Sequence, residues 1–181
     1  SQLTYCQAVY SQKKDDFFFS LSNCLTFMGG VPLAIVPDNL KSAVTKASKY
    51  EPEINESLAD FGEHYQTTIY PTRSYSPKDK ALVEKAVSIL YTRVYAVLSD
   101  KVFYSLNALN EAIRELVLIH NRMLFQGKTD SRQIRYDEVE RATLQALPNK
   151  RYELKHTKIA KVHPDCHVKL SEDKHYYSVP Y

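Results

Sequence analysis

The early part of the chain constrains the fold most, because it predicts a helix that leads directly into a buried strand. The apolar stretch Phe17–Met28 follows the acidic residues Asp15 and Asp16 and ends at two glycines, a pattern typical of a helix. The apolar run Val31–Val36 then predicts a buried strand that ends at Pro37. This succession of helix and strand indicates an α/β fold.

Shorter elements extend the alternation on both sides of this region. Leu3–Val9 is β-prone and partly alternating, and Thr67–Tyr70 is a second short β-prone run, so we expect a strand at each. Between these two runs, Asn55 is placed to cap a helix that ends near Tyr65.

Two longer amphipathic helices are predicted in the middle of the chain. The first begins at Asp79 and carries apolar residues at spacings of three and four. Its predicted buried face consists of Val83, Ala86, Val87, Leu90, Val94, Val97 and Leu98. The second helix runs from Leu106 to Arg122 with Ser105 as its N-cap, and a short helix is expected over Asp137–Leu144.

Beyond Pro148 the pattern changes to short strand-like pieces separated by turns, which is typical of a small β-module. The pieces are Tyr152–Leu154, Ile159–Val162, His167–Leu170 and Tyr176–Val179. Within this module His163, Cys166 and His167 superficially resemble zinc ligands. A structural zinc needs four ligands at suitable spacing, so we expect these residues to turn a hairpin instead.

Composition narrows the function classes only slightly. The 181 residues carry a formal net charge of +3, which permits a polyanionic partner without requiring one. No apolar run approaches the roughly 20 residues that span a bilayer, and the polar start lacks the features of a signal peptide. The three cysteines lack Cys-x-x-Cys spacing, which predicts reduced thiols in a cytosolic protein. A Gly-x-Ser-x-Gly elbow and a Gly-rich phosphate loop are absent from the sequence.

Two carboxylates stand at positions suited to a metal site. Asp38 follows the predicted strand Val31–Val36, where loop residues of α/β sheets tend to carry sites. Glu84 lies one turn into the helix that begins at Asp79, on the side away from its apolar face. Hard oxygen ligands of this kind hold the divalent metals of phosphoryl-transfer enzymes. The alternative interpretation makes Asp38 a turn residue and Glu84 a solvated helix residue.

Basic and amide side chains accompany both carboxylates and recur in the β-module, where they are candidates to hold DNA phosphates. The candidates are Asn39, Lys41, Arg73, Lys78, Lys80, Lys85, Lys155, Lys158 and Lys161. The alternatives are a simple turn at Asn39, a Lys80–Glu84 pair on a solvated helix, and a charged barrel surface without a ligand.

The residues around the two carboxylates resemble a known protein family. The motifs are Gly29-Gly30-Val31-Pro32, then Val36-Pro37-Asp38-Asn39-Leu40-Lys41-Ser42-Ala43-Val44, then Pro77-x-Asp79-Lys80-Ala81-x-Val83-Glu84-x-Ala86-Val87. Downstream segments such as Val162-His163-Pro164-Asp165 and His175-Tyr176-Tyr177-Ser178-Val179-Pro180 keep the order of the same family. Together these motifs resemble IstA-type transposases, the insertion-sequence enzymes that work with an AAA+ helper ATPase called IstB.

This resemblance implies an architecture and a reaction. The architecture is an N-terminally truncated RNase H-like integrase core over residues 1–100, a helical connector over 101–147 and the start of a small β-barrel, similar to that of Mu-type transposases, over 148–181. Family members use an Asp-Asp-Glu triad to hold Mg²⁺ or Mn²⁺, cut transposon ends and join the 3′-hydroxyls to target DNA. Asp38 matches the second Asp and Glu84 the Glu, whereas the first Asp belongs upstream of these residues. Asp15 and Asp16 begin a helix and are not expected to replace it.

The implied partners are double-stranded DNA, an IstB-type ATPase and further copies of the protein, at the nucleoid in the bacterial cytoplasm, with no membrane partner. Because the chain supplies only two of the three triad carboxylates, we expect it to bind Mg²⁺ weakly on its own and to be catalytically inactive. The alternative is an RNase H-like module that binds DNA or another subunit without doing chemistry.

Overall fold

The structure, a computed structural model, describes residues 1–37, 44–46, 53–54, 56–70, 77–155, 160, 162–169 and 174–180, with side chains at all of these except 44–46, 53–54 and 77–82. Its α-helices are α1 (Lys14–Met28), α2 (Glu56–Tyr65), α3 (Pro77–Leu90), α4 (Ala96–Leu98), α5 (Leu106–Arg122) and α6 (Arg132–Arg135). A π-helical turn, Tyr91–Tyr95, joins α3 to α4, and the turns Tyr136–Glu140 and Arg141–Thr143 continue α6. Helices alternate with short strands, in agreement with the predicted α/β class.

The strands form two-stranded sheets. They are β1 (Ala34–Ile35), β2 (Val44–Lys46), β3 (Glu53–Ile54), β4 (Thr68–Ile69), β5 (His167–Lys169) and β6 (Tyr176–Ser178). β1 pairs with β4 in parallel, whereas β2 pairs with β3 and β5 with β6 in antiparallel fashion. The strand predicted over Val31–Val36 is shorter than expected, because Val31 instead bridges Gln145 and the side chain of Val36 is 56% exposed.

The two glycines after α1 have different physical roles. Gly29 adopts a left-handed conformation with φ of 75°, and its N–H donates to the carbonyl of Leu25, which closes the helix. Gly30 lies against the segment after the Arg141–Thr143 turn. A Cβ at Gly30 would stand 2.7 Å from the Cβ of Leu144, so only glycine fits there. The predicted helix end is therefore confirmed, and the second glycine permits a close packing contact.

One hydrophobic cluster joins α1, α2 and a segment near the C-terminal end. Its buried members are Phe18, Leu25, Val31, Leu58, Phe61, Tyr65 and Tyr152. The Phe61 ring lies 5.5 Å from that of Phe18, 4.6 Å from that of Tyr65 and 5.0 Å from that of Tyr152. Tyr152 packs into this cluster from an irregular segment. The strand predicted over Tyr152–Leu154 is therefore wrong.

A second cluster joins the helices in the middle of the chain, with Val94, Leu98, Ile113 and Val117 buried. The predicted apolar face of α3 is only partly correct, because Val83 and Val87 are 50% and 53% exposed. Val94 and Leu98 are buried as predicted, but the π-helical turn Tyr91–Tyr95 interrupts the period of 3.6 residues, so the face that they bury does not continue back along α3 to Val83 and Val87.

Helix α5 has the predicted bounds, and the predicted cap is present, because the N–H of Ala108 donates to Oγ of Ser105. The strand predicted over Leu3–Val9 is wrong, since this segment pairs with side chains of α5 instead of a strand. Asn121 accepts from the N–H of Thr4 and donates to its carbonyl, at 3.0 and 2.8 Å. Asn110 contacts Ala8 in the same two ways.

Two of the predicted strand-like pieces, His167–Leu170 and Tyr176–Val179, contain β5 and β6, which pair in antiparallel fashion. Before β5, the N–H of Cys166 donates to the carbonyl of His163 at 2.9 Å, and the N–H of His163 donates to the carbonyl of His167 at 3.1 Å. His163, Cys166 and His167 therefore shape a tight turn before β5, whereas the hairpin predicted at these residues stays a prediction, because the piece before the turn, Ile159–Val162, is described only in part. The short helix predicted over Asp137–Leu144 begins earlier, at Arg132, where Ser131 caps it.

Replacing Phe61 by alanine tests the aromatic cluster. We expect the free energy of unfolding to fall by about 3–5 kcal/mol, because a large buried ring is lost. Val83→Ala on α3 is the control and should change it by less than about 0.5 kcal/mol, since Val83 is half exposed. Urea denaturation measures both, and a loss above about 2 kcal/mol for Val83→Ala would favour the face predicted from the sequence.

Replacing Asn121 by alanine tests the contact between α5 and the N-terminal segment. The variant leaves the N–H and carbonyl of Thr4 without these partners, so we expect a loss of about 1–3 kcal/mol of unfolding free energy and faster exchange of the Thr4 amide hydrogen. Asn107→Ala, on the exposed side of the same helix, should change neither. Unchanged exchange at Thr4 in Asn121→Ala would contradict the contact.

Candidate active site

Glu84 lies in the second turn of α3, and its side chain is exposed, as the sequence predicted. Within the part of the chain that the structure describes, its carboxylate makes no hydrogen bond or ion pair. The side chain of Lys80 is not among those described, so the alternative Lys80–Glu84 pair stays a prediction. Glu84 thus offers two hard oxygen donors at the surface.

Asp38 lies outside the described residues, but the strand that precedes it, β1, is described. Asp38 follows β1 by three residues, and α3 follows β4 after the stretch 70–76. In the parallel pair, Thr68 donates to the carbonyl of Leu33 at 3.0 Å and Tyr70 to that of Ile35 at 2.9 Å. Because the two strands are parallel, the chain leaves both at the same edge. The segment with Asp38 and the segment that leads to Glu84 therefore start from neighbouring points.

The other predicted site residues are described to different extents. Asn39, Lys41, Arg73, Lys158 and Lys161 lie outside the described residues, and Lys78 and Lys80 lie in α3 without described side chains. Lys85 is exposed directly after Glu84. Lys155 is exposed and forms an ion pair of 2.9 Å with Asp60, which lowers the pKa of that carboxyl. The roles of these residues in DNA binding stay predictions.

One polar cluster, which shares a cavity wall with Lys85, was missed by the sequence analysis. His120 is 3% exposed on α5, and its Nδ1 lies 3.0 Å from Nη1 of Arg93, in the π-helical turn after α3. Arg132, at the start of α6, is 8% exposed. Burial, followed by the charges of Arg132 and Arg93, lowers the pKa of His120 to about 4. Three separate elements contribute to this cluster, so no local pattern of the sequence indicates it.

Within the described residues, no three His, Cys, Asp or Glu side chains are grouped closely enough to hold a metal ion. The three cysteines, Cys6, Cys24 and Cys166, carry free thiols. Among the described helices, none is both long and apolar enough to cross a membrane.

Known proteins resemble the chain along its whole length. It is 45% identical over 181 residues to a protein of Sinorhizobium fredii named as a transposase, and 37% identical to one from Burkholderia multivorans named for insertion sequence IS408. A Pseudomonas fluorescens protein named for insertion sequence IS1162 is 31% identical over 180 residues. The chain is a relative of insertion-sequence transposases.

These matches cover all or nearly all of the chain but only a part of each transposase. The chain spans 35%, 35% and 32% of the three relatives, which is about a third of each. No protein-family model matches the chain.

The pH dependence of stability tests the burial of His120. His120 takes up a proton near pH 6.5 in the unfolded chain but only near pH 4 in the folded chain. The free energy of unfolding is therefore highest above pH 6.5 and falls as the pH drops towards 4. We expect this residue to contribute up to about 3 kcal/mol of that fall. The measurement is urea denaturation between pH 4 and 7.5, compared with His120→Gln, which should flatten the curve in this window. Equal slopes for both proteins would show that His120 is not held neutral.

Proposed function

We propose that this chain supplies Asp38 and Glu84 to the metal site of an Asp-Asp-Glu transposase with an RNase H-like catalytic core. The enzyme would cut transposon ends and join their 3′-hydroxyls to target DNA. The observation that carries the proposal is the parallel pairing of β1 with β4, since it starts the two carboxylate-bearing segments from one sheet edge. The relation to insertion-sequence transposases along the whole chain supports the same reaction.

Glu84 is the described residue of the proposed site, and its carboxylate suits a divalent metal of the Mg²⁺ or Mn²⁺ type. The Glu84 carboxylate is exposed and makes no ion pair within the described part of the chain, so it is available as a ligand. Asp38 would provide the second carboxylate from the end of β1. Such a metal, when bound, stabilises negative charge that develops on phosphate oxygens. Two carboxylates alone bind Mg²⁺ weakly, and the proposal takes the third from outside these 181 residues.

The proposal extends to the partners. Double-stranded DNA is the substrate, and Lys85 beside Glu84 is placed to meet its phosphates. By resemblance to IstA-type transposases, the longer protein would act as an oligomer with an IstB-type ATPase, in the bacterial cytoplasm at the nucleoid. Residues 148–181 would begin the small β-barrel, and the pair of β5 and β6 would be part of it.

Activity of the longer protein that contains this chain tests the proposal. Asp38→Asn and Glu84→Gln should each lower Mg²⁺-dependent joining of transposon-end DNA to target DNA by at least about a hundredfold, because a metal ligand supplies several kcal/mol of transition-state stabilisation. The readout is the joined product on a denaturing gel, at matched protein concentration.

Glu115→Gln is the matched control, since Glu115 is an exposed helical glutamate on α5 and its loss should leave joining unchanged. Wild-type joining by Glu84→Gln would refute the assignment of Glu84. A longer protein that binds transposon-end DNA but joins none would favour the alternative, a binding module without chemistry.

A further inference from the structure

A small cavity beside α3 carries several hydrogen-bond donors in a wall that is otherwise mostly apolar. It has a volume of about 50 Å³ and lies between α3, α5, α6 and the N-terminal segment, with Lys85, His120, Arg132 and Thr4 in its wall. We call it the basic cavity. By volume it holds roughly three or four waters, which matches the oxygens of one phosphate group and is too small for a nucleobase. None of its lining residues is a carboxylate.

His120 contributes a neutral donor to the basic cavity. Arg93 lies with its Nη1 3.0 Å from Nδ1 of His120, and a guanidinium can only donate. Nδ1 must therefore be the acceptor, which leaves the hydrogen of the imidazole on Nε2. The contact thus fixes the ring in the form that donates from its other nitrogen.

Arg132 contributes a buried charge that has no carboxylate partner among the described residues. Its guanidinium stacks on the Phe125 ring at 4.8 Å, and burial together with Arg93 lowers its pKa. Arg135 stacks on the same ring at 4.6 Å but forms an ion pair with Asp130. A buried unpaired charge is costly, and an anion in the basic cavity would offset that cost.

We propose that the basic cavity holds one phosphate group of a DNA strand, bound by Lys85, Arg132 and His120. This inference rests on the proposed function for its choice of DNA over other phosphates. Lys85 directly follows Glu84 in α3, so a strand anchored here would run past the candidate active site. The site would position the DNA through its backbone, without reading its sequence.

Salt-dependent DNA binding of the 181-residue chain tests the proposal. The probe is a fluorescent duplex of about 20 base pairs in EDTA, so that no metal and no joining reaction is involved. Lys85→Gln and Arg132→Gln should each weaken binding roughly tenfold and lower the slope of log K against log salt by about 0.9, the value for one phosphate. The double variant should lose no more slope than either single variant, because both side chains serve the same phosphate.

Arg141→Gln is the matched control, because it removes the same charge from an exposed arginine paired with Asp137, and it should keep the wild-type slope. Wild-type slopes in Lys85→Gln and Arg132→Gln would overturn the proposal, as would an equal fall in Arg141→Gln. Urea denaturation of Arg132→Gln checks its folding, and the exposed Lys85 gives an independent variant if that protein unfolds.

Inorganic phosphate distinguishes the source of the phosphate group. Stabilisation of the wild-type chain by millimolar phosphate, with no change of DNA slope in the variants, would assign the cavity to a free phosphate and overturn the DNA assignment. Glu84→Gln in the joining assay tests the proposed function separately. Loss of slope in Lys85→Gln would therefore stand even if the longer protein joined no DNA.

Discussion

The packing of Phe61 against Phe18 and Tyr152 is the interaction on which the rest of the structure depends. These rings come from α2, α1 and the segment after Pro148, so one contact set joins three distant parts of the chain. With α1 and α2 fixed, the strands that extend from them are brought side by side, and β1 pairs in parallel with β4. That pairing sends the segments carrying Asp38 and Glu84 out from one edge. The candidate active site therefore depends on a core that contains neither carboxylate.

Helix α3 is not a buried helix, because the buried members of the second hydrophobic cluster all follow it in the chain. Val94 and Leu98 anchor its continuation to α5, while Val83, Glu84 and Lys85 stay exposed. The same packing buries His120 and brings Arg93 next to it, which leaves the basic cavity beside the exposed Lys85. Helix α3 thus carries an exposed carboxylate, Glu84, and contributes Lys85 to the donors of the basic cavity. DNA phosphoryl transfer requires both kinds of group.

Elements with strong local signals could be predicted from the sequence, whereas those decided by tertiary contacts could not. Helix α5 and its Ser105 cap, and the end of α1 at Gly29, follow from capping chemistry alone. Leu3–Val9 has a strand-like sequence, but Asn110 and Asn121 satisfy its backbone from a helix more than a hundred residues away. The exposure of Glu84 followed from its helical position. Arg93, His120 and Arg132 meet only after three elements pack, so their cluster has no sequence signature.

Shared metal binding by Asp38 and Glu84 is the central claim, and paramagnetic broadening by Mn²⁺ measures it directly. In amide spectra of the 181-residue chain, signals around Asp38 and Glu84 should broaden together at the same Mn²⁺ concentration. Glu84→Gln should remove the broadening around Asp38 as well, since both carboxylates hold one ion. Broadening around Asp38 that survives unchanged in Glu84→Gln would contradict the claim.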